Sequence, residues 1–541
     1  MALRTMRIGI TLGCIALVVG SLPPPSLGAA QLPPIEKVEI KPNRAIYVND
    51  KPFFPIMAWL QNATNFPILA ECGMNATAGF TGRSKDVQSG TQYLDQMVKT
   101  GLYGVMPYRA NVKGHPALLA YIHGDEPDLP HEESDAVVET APAMRVNTKT
   151  PLWRLLDGDT SSWSVFDPLE GSSATIKLKQ PVMVESLAVW VTVSSGLSTA
   201  REIAFEADGK EILKATLEAK RGRQSFKLSQ PATFRELTVK VLSAQVGSNI
   251  WGSFGEIEGF DKAGTNVLLS KPRAVPRAYP DRTLREYQQI KAGDPSRPVF
   301  MTLTGYFHPI FKKYGDEPRK MYPEYVKATD VIGYDIYPIY GWNKPEWIYL
   351  VHEATDLLVK MSDGRPVYAW IETSKGGQWT GDLERQKDVT PAHIRAEVWM
   401  AICRGATAIG YFTHVWKPSY NQFGVPPANR EALAQINGQI TRLAPAILGD
   451  EPGRAVSIQG ENAVKLDALA KRKDGDIYIF AVNYDEAMKK AAATVKVEGL
   501  KAGTNVIVDN ENRTIKSNDG SFEDSFEPLA VHVYRLAIAR N

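Results

Sequence analysis

Cysteine is nearly absent from this chain: three residues in 541, at positions 14, 72 and 403. That scarcity excludes a disulfide-stapled scaffold, and with no histidine pair near either later cysteine there is no zinc signature. Charge of one sign is lacking too. Sixty-two lysines and arginines meet 60 aspartates and glutamates, a formal charge of +2. No long-range field draws such a chain to nucleic acid or to an anionic membrane. Histidine is sparse at eight. His115 and His123 have no third ligand at a suitable spacing, which argues against a catalytic metal. Beyond residue 20 no apolar run is long enough to cross a bilayer, and no internal repeat is visible.

What is present begins with a short export-like leader. Arg4 and Arg7 precede an apolar run from Ile8 to Gly20, and Gly28-Ala29-Ala30 reads as a small-residue cleavage site. Residues 1–30 are expected to be a signal peptide, with an uncleaved anchor as the alternative. Its loss removes both arginines and no acid, so the mature chain carries no formal net charge. The expected location is secreted or periplasmic, with no membrane contact after cleavage. An uncharged glycan suits such a chain better than a polyanion. Eleven tryptophans and 21 tyrosines offer faces for sugar rings but also fill cores. Cys72 and Cys403 read as two buried thiols; a disulfide between them is the alternative.

At this length several domains are expected. Short apolar runs alternate with helical pattern from residue 36. Four strands are expected at Phe53–Trp59, Met74–Phe80, Leu102–Tyr108 and Leu119–Glu126, and four more at Pro298–Leu303, Asp330–Tyr337, Pro366–Glu372 and Ala408–His414. A helix with Tyr93, Leu94, Met97 and Val98 on one face should stop at Gly101. Another should be capped by Thr390, open on Pro391, carry Ile394, Val398 and Ile402 on one face and end at Gly405. Eight strands alternating with helices predict an α/β fold, a (β/α)8 barrel built from residues 36–134 and 271–445. An open doubly wound sheet is the runner-up, without a glycine-rich phosphate loop to support it. Residues 139–270 break the alternation with runs of Val, Thr, Ser and Leu at period two. They predict an inserted β-sandwich after strand four. Residues 446–541 predict a closing β-sandwich.

Two strands of the expected barrel end on a carboxylate. Ala117-Leu-Leu-Ala-Tyr-Ile-His-Gly-Asp125-Glu126 closes strand four, and Pro366-Val-Tyr-Ala-Trp-Ile-Glu372 closes strand seven. Barrel active sites form where strands end, and a glycosidase needs two carboxyls, one to protonate the leaving oxygen and one to attack the sugar or activate water. Trp59, Arg109, His308 and Trp379 lie just past other strand ends and are candidate substrate contacts; packing or surface roles fit each equally.

These motifs resemble those of the clan A glycoside hydrolases. Ile46-Tyr-Val-Asn-Asp-Lys-Pro-Phe-Phe-Pro is similar to the hairpin that leads into their first strand. His123-Gly-Asp-Glu-Pro resembles their strand-four motif, and Trp370-Ile-Glu-Thr their strand-seven nucleophile. The resemblance implies a retaining mechanism with the carboxyls about 5 Å apart, Glu126 as acid/base and Glu372 as nucleophile. It also implies that Asp125, standing where the clan usually has asparagine, touches the sugar; capping a turn is the alternative. Tyr337 would bond the nucleophile and Trp416 would stack on a sugar. A β-linked neutral glycan is the expected substrate. A transglycosylase using the same pair, or a barrel that binds glycan without cleaving it, are the alternatives. The insert resembles the discoidin-like, factor 5/8 type C sandwiches used as family 32 carbohydrate-binding modules, through Leu156-Asp-Gly-Asp-Thr-Ser-Ser-Trp163 and Phe254-Gly-Glu-Ile-Glu-Gly-Phe260. That resemblance implies a structural calcium held by Asp157, Asp159, Ser162 and Glu256, with a plain turn as the alternative. No cofactor is expected for catalysis. Trp251 is either a sugar platform or a core residue.

Overall fold

The computed structural model describes residues 32–80, 89–143, 150–311 and 320–537. The expected leader and its Cys14 lie outside these residues. No helix among the described residues is long and apolar enough to cross a membrane.

Eight parallel strands close into a barrel: β1 Ile56–Trp59, β2 Ala76–Ala78, β3 Tyr103–Met106, β4 Leu118–Ile122, β5 Val299–Thr304, β6 Val331–Asp335, β7 Val367–Glu372 and β8 Ala408–Phe412. Each strand pairs with the next in sequence; β8 returns to β1, and β5 pairs β4 through Val299 and Tyr121. Almost every strand residue is buried, as expected where helices cover one face and the packed barrel interior the other. The interior is aromatic: Trp59, Tyr103, Phe300, Tyr368 and Trp370 share one cluster. Two glycines make room for it. A Cβ on Gly333 would lie 2.3 Å from the Tyr368 ring, and one on Gly410 2.1 Å from Trp370.

Most strands are shorter than the sequence suggests. β4 stops at Ile122, so Glu126 lies in the following turn, and β6 stops at Asp335, so Tyr337 lies beyond it. Helix α1, Gly90–Thr100, has a Ser89–Gln92 capping box and ends on the left-handed Gly101. Helix α2 spans Tyr349–Met361. Helix α3, Pro391–Cys403, is capped by Thr390 with His393 reciprocating. Unlike a surface helix, α3 is buried nearly all round from Ala396 onward. The reason is a second layer. Trp399 stacks on Phe480, with ring centroids 5.5 Å apart, and the Cys403 thiol lies 3.2 Å from the Phe480 carbonyl. Phe480 belongs to the C-terminal region, where a three-stranded and a five-stranded sheet enclose Ile477, Val495, Phe522 and Tyr534. Cys72 and Cys403 are both free and buried.

Residues Glu126–Tyr279, with the described residues 309–311 and Lys320, form a separate compact unit. Its seven-stranded antiparallel sheet runs from Val137 to Phe260. The long strands Ser173–Val191 and Gly222–Gln245 shift register between Lys177 and Val182, and the sheet wraps a core that includes Leu155, Phe166, Leu187, Phe205 and Phe254.

Candidate active site

The C-terminal ends of β6, β7 and β8 carry the polar and aromatic groups of the barrel mouth. An aromatic wall rises past β8. Phe412 stacks almost parallel on Trp416 (8°, centroids 6.0 Å apart) and packs against Tyr337 at 5.0 Å and Tyr340 at 5.3 Å. His414 and Tyr420 continue the wall. His414 is buried, which holds its imidazole below the ordinary range, and its Nε2 lies 3.0 Å from the Trp59 carbonyl. Trp59 itself packs edge-on against Trp370 at 5.3 Å. The structure therefore gathers Trp59, Tyr337 and Trp416, three of the expected contact residues, around the mouth. Trp379 is 87% exposed. Arg109 lies over Phe80 at 5.1 Å, and the buried His308 faces Glu353 at 3.4 Å; nothing in these contacts directs either toward the aromatic wall.

Glu372 ends β7 with no exposed surface. Its carboxylate accepts the main-chain N–H of Ile339 (2.9 and 3.1 Å to the two oxygens) and of Tyr340 (2.5 Å). Beside it lies the carboxyl of Glu397 on α3, equally buried, whose oxygens have no hydrogen bond of good geometry. Burial pushes Glu372 up to about 7, against the lowering effect of the two N–H groups; burial, then the charge of Glu372, pushes Glu397 well above the carboxylate range. Two carboxyls sealed together this way resist being ionised at the same time. Glu397 was not legible as a functional group: within a helix it reads as a solvent-facing residue.

Glu126 stands in a left-handed backbone conformation, φ 47°, which costs a non-glycine residue about 1–2 kcal/mol. Its carboxylate is 3.7 Å from the Arg277 guanidinium. Asp125, the residue before it, is exposed. Inside the barrel the Tyr368 hydroxyl bonds Thr302 Oγ1 at 2.7 Å, and Trp370 Nε1 donates to the same oxygen at 3.1 Å. Burial raises the Tyr368 phenol, and the nearby charges of Asp125 and Asp335 raise it further against the Thr302 bond. Asp335, the last residue of β6, is not among the residues expected from the sequence. Its parity with Gly333 was the available clue.

In the separate unit, Asp157, Ser162 and Glu256 come together. Ser162 Oγ donates to both Asp157 oxygens at 3.0 and 3.2 Å, and Glu256 Oε1 accepts the Gly158 N–H at 3.1 Å. Glu256 Oε2 is buried without a partner. Burial, then Asp157, pushes Glu256 up to about 9. Asp159 departs from the expected set: its carboxylate takes the Ser161 N–H and hydroxyl in an exposed turn. Among the described residues no three His, Cys, Asp or Glu side chains are grouped for a metal. Two carboxylates, one of them with an unsatisfied oxygen, and a hydroxyl nevertheless suit a hard, oxygen-seeking cation.

No family model matches the chain, and no curated protein matches it. Solved structures with some likeness include an Anoxybacillus alpha-amylase, 11% identical over 49% of this chain and 57% of its own, TM-score 0.34. Another is the alpha-amylase of Geobacillus thermoleovorans complexed with acarbose, 9% identical over 49% of this chain and 58% of its own, TM-score 0.34. A third is the family 32 carbohydrate-binding module of C. perfringens NanJ in complex with galactose, 14% identical over 24% of this chain and 97% of its own, TM-score 0.20. The chain thus spans little more than half of either amylase. The barrel assignment rests on the strand pairing itself.

Proposed function

We propose that this chain is an exported glycoside hydrolase acting on a neutral, β-linked glycan. The observation that carries the reading is the aromatic wall of Tyr337, Tyr340, Phe412 and Trp416, raised beside strand-end carboxyls at the C-terminal mouth of a closed barrel. In this reading Glu126 is the acid/base. Glu372, the strand-seven carboxyl, is the first candidate for the second acid, with double displacement and retention as the outcome. Its lack of exposed surface means the 337–340 segment must part for Glu372 to meet a sugar. In the inserted unit, Asp157, Ser162 and Glu256 are proposed to hold a structural calcium, which would supply positive charge to two buried carboxylates.

The covered Glu372 and the ion pair between Glu126 and Arg277 favour a second reading, a glycan-binding protein without hydrolysis. Purified full chain incubated with a panel of dinitrophenyl glycosides and soluble β-glucans separates the two. Released dinitrophenol or reducing ends is the expected result, and E126Q should lose release from the β-glucans while still expelling dinitrophenolate, which leaves without a proton. Glycan binding with no release from any substrate would leave the binder.

A further inference from the structure

The barrel mouth holds a further acid, Asp335, at the end of β6. On β6 the side chains alternate. Tyr334 points outward, its hydroxyl bonding the Val351 carbonyl and Thr355 on α2 at 2.7 Å each. Gly333 points inward, with its missing Cβ 2.3 Å from the Tyr368 ring. Asp335 is two residues beyond Gly333 and therefore faces inward as well. Its strand partner is Trp370, whose indole rests on Thr302. Unlike Glu372, Asp335 is part-exposed. Asp125 follows β4 by three residues, at the same end of the barrel. The floor beside Asp335 is the buried Thr302–Tyr368–Trp370 network.

An independent feature of the same mouth calls for a ligand. Tyr340 is 8% exposed, and its hydroxyl makes no hydrogen bond. Its ring packs in the aromatic wall against Tyr337, two residues after Asp335. A buried, unpaired hydroxyl costs about 1–3 kcal/mol, a cost that a sugar hydroxyl would relieve.

We propose that Asp335, facing inward at the end of β6 beside Trp370, is a catalytic carboxylate of the glycan site, in the place for which Glu372 was the first candidate. The inference rests on the glycosidase reading above. An ionised carboxylate beside the anomeric carbon stabilises the positive charge that develops there as the glycosidic bond breaks. Asp125 then holds ring hydroxyls, and Glu372, pinned by Ile339 and Tyr340, supports the loop rather than touching substrate.

The test uses the full chain and the dinitrophenyl glycosides and β-glucans named above. D335N is expected to lose at least a thousandfold in kcat/KM with an unchanged melting temperature, and D335A should regain turnover in added formate, which a merely structural role would not allow. D335N retaining more than a third of wild-type kcat/KM overturns the inference and leaves the glycosidase reading intact. Should D335N melt early, D335E decides: wild-type turnover there overturns the inference, since a carboxyl displaced by one methylene loses its geometry, and a large loss in the folded variant supports it. Wild-type chain that cleaves none of the substrates overturns the glycosidase reading and this inference with it.

Discussion

Two pairs of buried acids, one in the barrel and one in the inserted unit, solve the same electrostatic problem differently. Glu372 and Glu397 are both fully buried, and main-chain N–H groups from residues 339 and 340 satisfy one of them. Glu397 lies beside it with neither oxygen hydrogen-bonded, and burial and the charge of Glu372 raise it well above the carboxylate range. Asp157 and Glu256 have a hydroxyl and two N–H groups, those of Gly158 and Asp159, between them, and one Glu256 oxygen is left without a partner. That pair lacks positive charge. The contrast teaches that burial alone does not set how well an acid is paired: Glu397 keeps two oxygens without a hydrogen-bond partner and Glu256 one.

The sharpest way to break the comparison is E372L. It leaves two buried N–H groups without an acceptor, and about 3–5 kcal/mol of stability should disappear in urea unfolding followed by tryptophan fluorescence. If E372L unfolds like wild type, the barrel pair does not hold the loop. A pH series comes next. Both carboxyls sit above their unfolded value in the native state, so the native chain keeps protons that the unfolded chain has released. Stability should therefore fall as pH rises from about 4.5 to 7, by about 1.4 kcal/mol per unit for each group still protonated only in the fold. In E397Q, whose amide donates without titrating, that decline should flatten. Calcium sharpens the other half. A hundredfold excess over the dissociation constant should raise the stability of the inserted unit by about 2.7 kcal/mol, and EDTA should reverse it. Calorimetry should show the shift vanishing in E256Q, and should show no calcium effect on the barrel transition. The smallest effect is expected at Trp379, 87% exposed: W379A should change stability by less than about 0.5 kcal/mol, so any loss of glycan binding there would mark a contact rather than a packing residue.

Much of this was legible in the sequence because period and caps are local. The Thr390–Pro391 start of α3 and the Gly101 stop of α1 are fixed by residues within one turn of the event. The order of barrel strands followed from apolar runs, although β4 and β6 end earlier than the runs suggest, because hydrophobicity continues into the turns. The aromatic wall was half legible: Tyr337 and Trp416 stood out as strand followers, whereas Phe412 and Tyr340 join them only through tertiary packing. What stayed hidden was the fate of each acid. Glu372 and Asp335 both end apolar strands, yet one is sealed by a passing loop and the other stays open to solvent. No local pattern carries that difference. Glu397 was hidden for a related reason: it lies on the side of α3 that meets Glu372 of β7, and only tertiary packing brings the two acids together. The clue was the run from Ala396 to Cys403, which is too apolar all round for a surface helix.

The sheet carrying Phe480 also limits how the molecule can be shortened. His352 stacks on Tyr484 at 3.7 Å, and Arg404 bridges His352 and Asp467 at 2.9 and 3.0 Å. A truncation before residue 450, made to isolate the barrel, would strip the lid from Trp399 and strand these charges at a raw apolar surface. Such a fragment should clump on expression, so trimming for crystallisation has to stop short of the last two sheets.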